Sequence, residues 1–463
     1  MTHNGGSIAD HYELREFSEL RAPRAVVVAR LAAPLSTCHG TKMVSPRSRY
    51  TLLIPTYNRS GHLRRLLGYL AARRLEFPVR VLDSSSGENL SENRETVRRG
   101  GLDVVHEVYD SAIPIHKKVE LGLASVGSTY CSLCADDDVL FTDELKALLD
   151  ILDANPDLEV AHGYYVNFKP GESFNIWYTD YSAPSIVSDD ALKRLVEQMS
   201  DYQAIFYGVH RTSTMRSIRE PLDRVKSLWA KELLTSSLAL IAGGIYRAPR
   251  YYMARNTNPS IATKGWHPHQ FFAIEPAELF REYADYRAVA LERLAADPQC
   301  RARYRPEQVE HVFDLVHLKY LAPMLSPGVM NYLIQQSMSP NTTSEQIIEG
   351  IWSTFVPPYA RRGGGLKQYL SDAVALLRPS HASDVLGNIR RLAGLYGELR
   401  FREKFDVKLS SSFDTMTVNR TTRDGASRRY VISQSLLDQK FADGGQVTAP
   451  HLRNIIRHLD DYV

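Results

Sequence analysis

The stretch Tyr130-Cys-Ser-Leu-Cys-Ala-Asp-Asp-Asp-Val139 decides the fold. A short apolar run of strand length drives straight into three consecutive carboxylates. Such a run reads as a buried strand, and the acids mark where it leaves the core. Working outward, Tyr50 to Ile54 is a second buried strand, closed by Pro55. Val79 to Leu82 is a third and ends at Asp83 and a serine-rich turn. Val104 to Val108 is a fourth. Between them Leu63, Leu66, Leu67 and Leu70 recur at helical spacing, as do Val119, Leu123 and Val126. Leu145, Leu148, Leu149 and Leu152 form one more apolar stripe after the acids. Strands alternating with amphipathic helices predict βαβ units and a mostly parallel sheet.

In such sheets ligands bind beyond the carboxyl ends of the strands. Three polar clusters are placed there: Thr56-Tyr-Asn-Arg59, Asp83-Ser-Ser-Ser86 and Asp136-Asp-Asp138. Three adjacent carboxylates repel unless a cation compensates them. Hard divalent ions take oxygen ligands, and a diphosphate supplies further oxygens. The competing reading is a solvated turn whose acids favour the start of the next helix. Asp83 has a similar pair of readings, a hydrogen-bond acceptor for a nucleoside or a plain Asp turn.

Cys131 and Cys134 form a C-x-x-C. Positions three apart in a strand face opposite ways, so two separately buried thiols are expected rather than a redox or zinc pair. No G-x-G-x-x-G follows the first strand and no G-x-x-x-x-G-K-[ST] occurs, which argues against dinucleotide-dependent dehydrogenases and P-loop NTPases.

Farther along, Glu159 to Phe168, Gln203 to Val209 and Tyr251 to Ala254 read as strands. An aromatic-rich loop (Phe174, Trp177, Tyr178, Tyr181) separates the first two. Lys231 to Ala242 reads as a helix stopped by Gly243-Gly244. The expected organisation is a loosely ordered extension over 1–46, the α/β domain over 47–278, and a mainly helical accessory region over 279–463. That last region includes helices at Val309 to Met324, Leu366 to Leu377 and Leu452 to Leu459. The stripe Leu386, Ile389, Leu392, Leu395, Leu399, with arginines around it, reads as a packing face; contact with an anionic membrane surface is the alternative.

The 463 residues carry a net charge of +3, an apolar fraction of 44% and a charged fraction of 24%. These are values of a soluble globular chain with no electrostatic call for nucleic acid. Four cysteines do not make a disulfide framework. The sequence has no transmembrane-length apolar run and no signal-peptide pattern, so a cytoplasmic location is expected, with the inner membrane face open.

Taken in order, Ile54-Pro-Thr-Tyr-Asn-Arg59, Leu82-Asp-Ser-Ser-Ser86 and Cys134-Ala-Asp-Asp-Asp138 resemble glycosyltransferase family 2, and within it a bacterial subgroup with a C-A-D-D-D segment. The resemblance spans residues 48–277. It implies a GT-A fold: an α/β, Rossmann-like, mostly parallel sheet flanked by helices. It also implies inverting transfer from a nucleotide-diphosphate sugar, a UDP-sugar in first place, to a glycan or lipid-linked hydroxyl, in bacterial surface glycan synthesis. Carried over residue by residue, Pro55, Thr56, Tyr57, Asn58 and Arg59, with Asp83, Ser84, Lys118, Asp136 and Asp137, would bind the nucleotide. Asp138, Asp136 and His269 would hold Mn²⁺ or Mg²⁺. Cys134 stands where the family often has an acid, so which aspartate holds the ion stays open.

Inversion needs a general base at the acceptor hydroxyl. Glu232, in Trp229-Ala-Lys-Glu-Leu-Leu234, takes that place; the alternative is a first-turn glutamate favoured by the helix dipole. His267 and His269 are either ligands or plain loop histidines. Arg211, in Tyr207-Gly-Val-His-Arg211, pairs either with an acidic acceptor or with a nearby carboxylate. Three other classes remain, a nucleotidyltransferase of GT-A type, a zinc-binding module, which lacks ligands, and a non-catalytic sugar- or nucleotide-binding scaffold. The first usually needs a Gly-rich basic loop, which Thr56-Tyr-Asn-Arg-Ser60 lacks. A homo-oligomer is left open.

Overall fold

The computed structural model describes residues 45–178, 183–257, 276–321, 390–410, 415–421, 425 and 427–462. Four parallel strands form one block of the sheet, in the order β3 (Val104–Val108), β2 (Val79–Asp83), β1 (Tyr50–Thr56) and β4 (Tyr130–Leu133). The register sets Thr56 beside Asp83 and Leu53 beside Leu133, so the first two polar clusters leave the sheet side by side. Beyond β4 the sheet turns mixed, through β8 (Val209–Arg211) and β6 (Leu158–Lys169) to β7 (Phe174–Tyr178). β9 (Gly244–Asn256) pairs with β6 and with the short β5 (Val139–Leu140) that follows the acids.

Pro55 sits inside β1, which extends to Thr56. A proline removes a ladder donor. Here Leu53 faces β4, its carbonyl taking the Cys134 N–H at 3.0 Å, while the Thr56 carbonyl faces β2 and takes the Ser84 N–H at 3.2 Å. By alternation Pro55 faces β4 just past the end of that pairing, where no bond is lost.

Helices cover both faces. α1 (Ser60–Ala72) and α4 (Thr142–Ala154) bury Leu63, Leu66, Leu67 and Leu70, and Leu145, Leu148, Leu149 and Leu152, in one core with Cys134. Each such leucine contributes roughly 1.5–3 kcal/mol of transfer free energy. α2 (Gly87–Arg99) follows β2. α3 (Ile115–Ala124) and α6 (Thr212–Arg219) cover the other face, where Val119, Leu123 and Met215 pack with Cys131. The two thiols are free and buried in opposite cores, as alternation requires. A third core joins α5 (Ala191–Ser200), α7 (Leu228–Ala242), α8 (Pro276–Ala296), α9 (Pro298–Arg303) and α10 (Pro306–Leu321).

Two readings of the middle region need correction. Of the expected 203–209 strand only Val209 is in a strand, as the first residue of β8. Gly208 closes a turn on the Ile205 carbonyl at 2.9 Å, and a Cβ there would lie 2.7 Å from Val160 Cγ1. The aromatic loop contains a strand, β7, with Phe174 and Ile176 buried.

The C-terminal region is helical in its described helices and also carries three strands, β10 (Asp406–Leu409), β11 (Thr415–Thr421) and β12 (Ser427–Ser433). β12 pairs in parallel with β7, so this antiparallel ribbon extends the main sheet. Leu392, Leu395 and Leu399 are buried in the core of α1, as a packing face. Leu386, Ile389, Leu366 to Leu377, Tyr181, His267 and His269 lie outside the described residues. Among the described residues no helix is long and apolar enough to cross a membrane.

The last helix, α11 (Ala449–Tyr462), packs on α1 and β5. Tyr69 Oη donates to the Leu140 carbonyl at 2.6 Å, so it must accept from His458 Nδ1–H at 2.7 Å. Burial lowers the His458 pKa to about 3, so the ring is neutral and Nδ1 carries its proton.

Candidate active site

Three rim segments are tied together by hydrogen bonds that no one segment could make. Lys118, near the start of α3, is 3% exposed and donates to the Thr56 carbonyl at 2.7 Å and to Ser84 Oγ at 2.8 Å. Burial lowers its pKa to about 8, against the pull of Asp83 and Asp136. Thr56 Oγ1 donates to Asp136 Oδ2 at 2.6 Å. Asn58 joins the first two loops, its N–H donating to Ser85 Oγ at 2.8 Å and its Oδ1 accepting the Ser86 N–H at 3.0 Å. It does so at φ +50°, a left-handed conformation that asparagine tolerates better than most residues. Tyr57, 52% exposed, leaves its ring on the rim.

Asp83 has no exposed surface. Its Oδ1 accepts the Ser85 N–H at 2.7 Å, and its Oδ2 accepts from Asn93 Nδ2 and His106 Nε2, both at 2.9 Å. Burial opposes ionisation, yet these donors outweigh it and hold the carboxyl below its ordinary pKa. Asp83 therefore fixes the floor of the rim. Asn93 and His106 carried no signal in the sequence, because their importance lies in where α2 and β3 place them.

The acid triplet divides its labour. Arg59 pairs with Asp136 at 3.1 Å and with the Asp137 carboxylate. Asp138 is separate: its Oδ1 accepts the Asn256 N–H at 2.9 Å. Burial, reinforced by Asp137, raises the Asp136 pKa to about 6 against Arg59 and Thr56. Burial and then Asp137 raise that of Asp138 to about 7, against Arg255 and the Asn256 N–H. The side chains are not splayed into solvent, so the plain solvated turn does not describe them. Among the described residues no three His, Cys, Asp or Glu side chains gather to hold a metal ion by themselves. Asp136 is turned to Thr56 and Arg59, and His269 is outside the described residues.

Glu232 lies on α7, which starts at Leu228 with Ser227 Oγ accepting the Ala230 N–H at 3.1 Å. That places Glu232 past the first turn and removes the helix-dipole alternative. Tyr202 Oη donates to Glu232 Oε1 at 3.1 Å. Burial raises its pKa to about 7, while Tyr202 and Arg255 pull the other way. Arg255, at the end of β9, thus acts electrostatically on both Asp138 and Glu232. It follows directly on the Tyr251 to Ala254 strand, yet nothing in its spacing singled it out. Arg211 clamps the Leu158 and Leu152 carbonyls, both at 2.8 Å, away from the rim.

No family model matches the chain, and no curated protein does. The solved structures it is similar to include those of TarS from S. aureus. Residues 1–349 of TarS in complex with UDP-GlcNAc share 14% identity, over 82% of this chain and 99% of that one, with a TM-score of 0.43. The same TarS fragment without that ligand shares 12% over 82% and 98%, at 0.40. A longer TarS chain shares 14%, over 82% and 60%, at 0.41.

Proposed function

We propose that the chain is an inverting glycosyltransferase. It moves a sugar from a nucleotide-diphosphate donor, a UDP-sugar in first place, to a hydroxyl of a glycan or lipid-linked acceptor. The supporting observation is the rim itself, where Thr56, Ser84, Lys118 and Asp136 form one hydrogen-bonded unit beside the buried Asp138. That unit stands where parallel sheets bind nucleotides. The nucleoside lies over the floor ordered by Asp83 and against the Tyr57 ring, while Arg59 and Lys118 supply positive charge for the phosphates.

The residues fit a hard divalent cation, Mn²⁺ or Mg²⁺. The donors are carboxylate oxygens withdrawn from water: burial, with Asp137 beside them, raises the pKa of both Asp136 and Asp138, and a bound cation would favour their ionised forms. Asp138 would hold the ion, with Asp136 beside it. When bound, such an ion neutralises a diphosphate leaving group. Glu232, with a pKa near neutrality, takes the proton of the acceptor hydroxyl. The hydroxyl oxygen then bonds to the anomeric carbon as the bond to the diphosphate breaks, and the nucleoside diphosphate leaves.

Calorimetric titration with UDP, with and without MnCl₂, tests this. Wild type is expected to bind more tightly with Mn²⁺, and Asp138→Asn to lose at least about tenfold of that affinity. Equal affinity in the two proteins, or no binding of UDP, GDP or CMP by wild type, would overturn the proposal.

A further inference from the structure

Tyr462 reaches the acid triplet from the far end of the chain. Its hydroxyl donates to the Asp137 carbonyl at 3.0 Å, across 325 positions. The residue is 3% exposed, edge-on to Phe168 at 5.9 Å and to Tyr69 at 6.2 Å. A phenylalanine would keep the ring contacts; the hydroxyl adds the bond to the turn, with the Arg65 guanidinium beside it.

The Asp137 carbonyl belongs to the peptide unit that joins Asp137 to Asp138. Peptide units are planar, so holding the oxygen orients the N–H of the same unit. That N–H, of Asp138, closes the turn on the Ala135 carbonyl at 3.2 Å. The Asp138 carboxylate is then held from the other side by the Asn256 N–H. Asp137 itself is clamped twice, by Arg59 at its carboxylate and by Tyr462 at its carbonyl.

The helix end that carries Tyr462 is well anchored. Asp460 takes Tyr430, Arg420 and Arg428 from β11 and β12, and Asp461 pairs with Arg73 of α1 at 3.1 Å. The hydroxyl therefore arrives from a fixed support.

We propose that Tyr462 is a positioning residue. By holding the Asp137 carbonyl it aims the Asp138 carboxylate at the donor diphosphate and its cation. This rests on the function proposed above.

MnCl₂ is titrated in saturating UDP, by calorimetry, into wild type, Tyr462→Phe, Tyr251→Phe and Asp138→Asn, with thermal melting recorded for each. Tyr251→Phe removes a buried hydroxyl that donates to Gln439, away from the triplet, and serves as the packing control. Tyr462→Phe is expected to raise the half-saturating Mn²⁺ concentration about fivefold, the equivalent of one hydrogen bond. Tyr251→Phe is expected to lower the melting temperature and leave Mn²⁺ binding unchanged.

If Asp138→Asn loses Mn²⁺ while Tyr462→Phe binds it like wild type, the positioning role is wrong and the functional reading stands. If both tyrosine variants weaken Mn²⁺ binding in proportion to their loss of stability, Tyr462 only packs and the proposal fails. If Asp138→Asn binds like wild type, the functional reading itself falls.

Discussion

The floor of the parallel block and helix α7 each withdraw one carboxyl group from water, with opposite results. Asp83, beneath the parallel block, meets a backbone N–H, an amide and an imidazole, and its pKa falls. Glu232, on α7, meets one tyrosine hydroxyl among the described residues, and its pKa rises to about 7. Burial raises a carboxyl pKa in both places; the number of donors decides which way the balance goes. The first acid becomes a permanent anion that orders loops. The second can take a proton near neutral pH, as a general base must.

Exchanging each acid for its amide is the strongest way to break this contrast. Glu232→Gln is expected to lower transfer by 10²- to 10⁴-fold, the usual span for a general base, while UDP binding stays as in wild type. Steady-state rates and calorimetry read the two separately, and a parallel loss of UDP affinity would put Glu232 in the donor site instead.

Asp83→Asn should act on stability. Charge-assisted hydrogen bonds contribute about 1.5–3 kcal/mol each to a buried acceptor, so a loss of roughly 2–3 kcal/mol in urea unfolding at pH 7 is expected. The sign with pH follows from the lowered pKa. The Asp83 contribution is complete above the unfolded value, near 3.8, and is lost as pH falls through the lower folded value. Wild type should therefore lose its advantage over Asp83→Asn in acid.

For Glu232 the sign reverses. Its folded pKa, about 7, lies above the ordinary 4.5, so the stability it contributes at low pH is lost as pH rises through 7. Glu232→Gln should then be the more stable protein at pH 8, on the order of 2 kcal/mol in the same assay. Tyr202→Phe should give the smallest effect and sharpen the comparison most finely. Removing the Tyr202 donor to Glu232 moves the pH midpoint of the transfer rate upward, which a pH–rate profile reads directly; a downward move would show that Tyr202 does not stabilise the anion.

The parallel block was legible because its strands are short apolar runs with polar ends. Val104–Val108 and the leucines of α1 and α4 fall where periodicity placed them. Asp136 and Lys118 were visible as polar residues at strand and helix ends, and they do meet across Thr56. The ribbon β10–β12 was not legible. Its buried side chains, Val407, Met416, Val418, Tyr430 and Ile432, alternate with threonine, asparagine and arginine, and the arginines made the tail read as irregular. Segment 203–208 misled because Gln203 is held by its side chain, which accepts the Ala183 N–H at 3.0 Å, rather than by a ladder. Tyr462, Arg255, Asn93 and His106 reach the site by tertiary placement alone, which no local pattern encodes.

The parallel pairing of β12 with β7 has a consequence for biosynthesis. When the ribosome has made residues 174–178, the outer edge of β7 has no partner, and it gains one only after residues 427–433 emerge. Over that interval a strand edge stands open to other chains, the condition under which nascent proteins aggregate. The parallel block, whose four strands lie within residues 50–133, can form long before. The order of synthesis thus separates formation of the parallel block from closure of the sheet, and leaves the open β7 edge as the place where a chaperone has most to do.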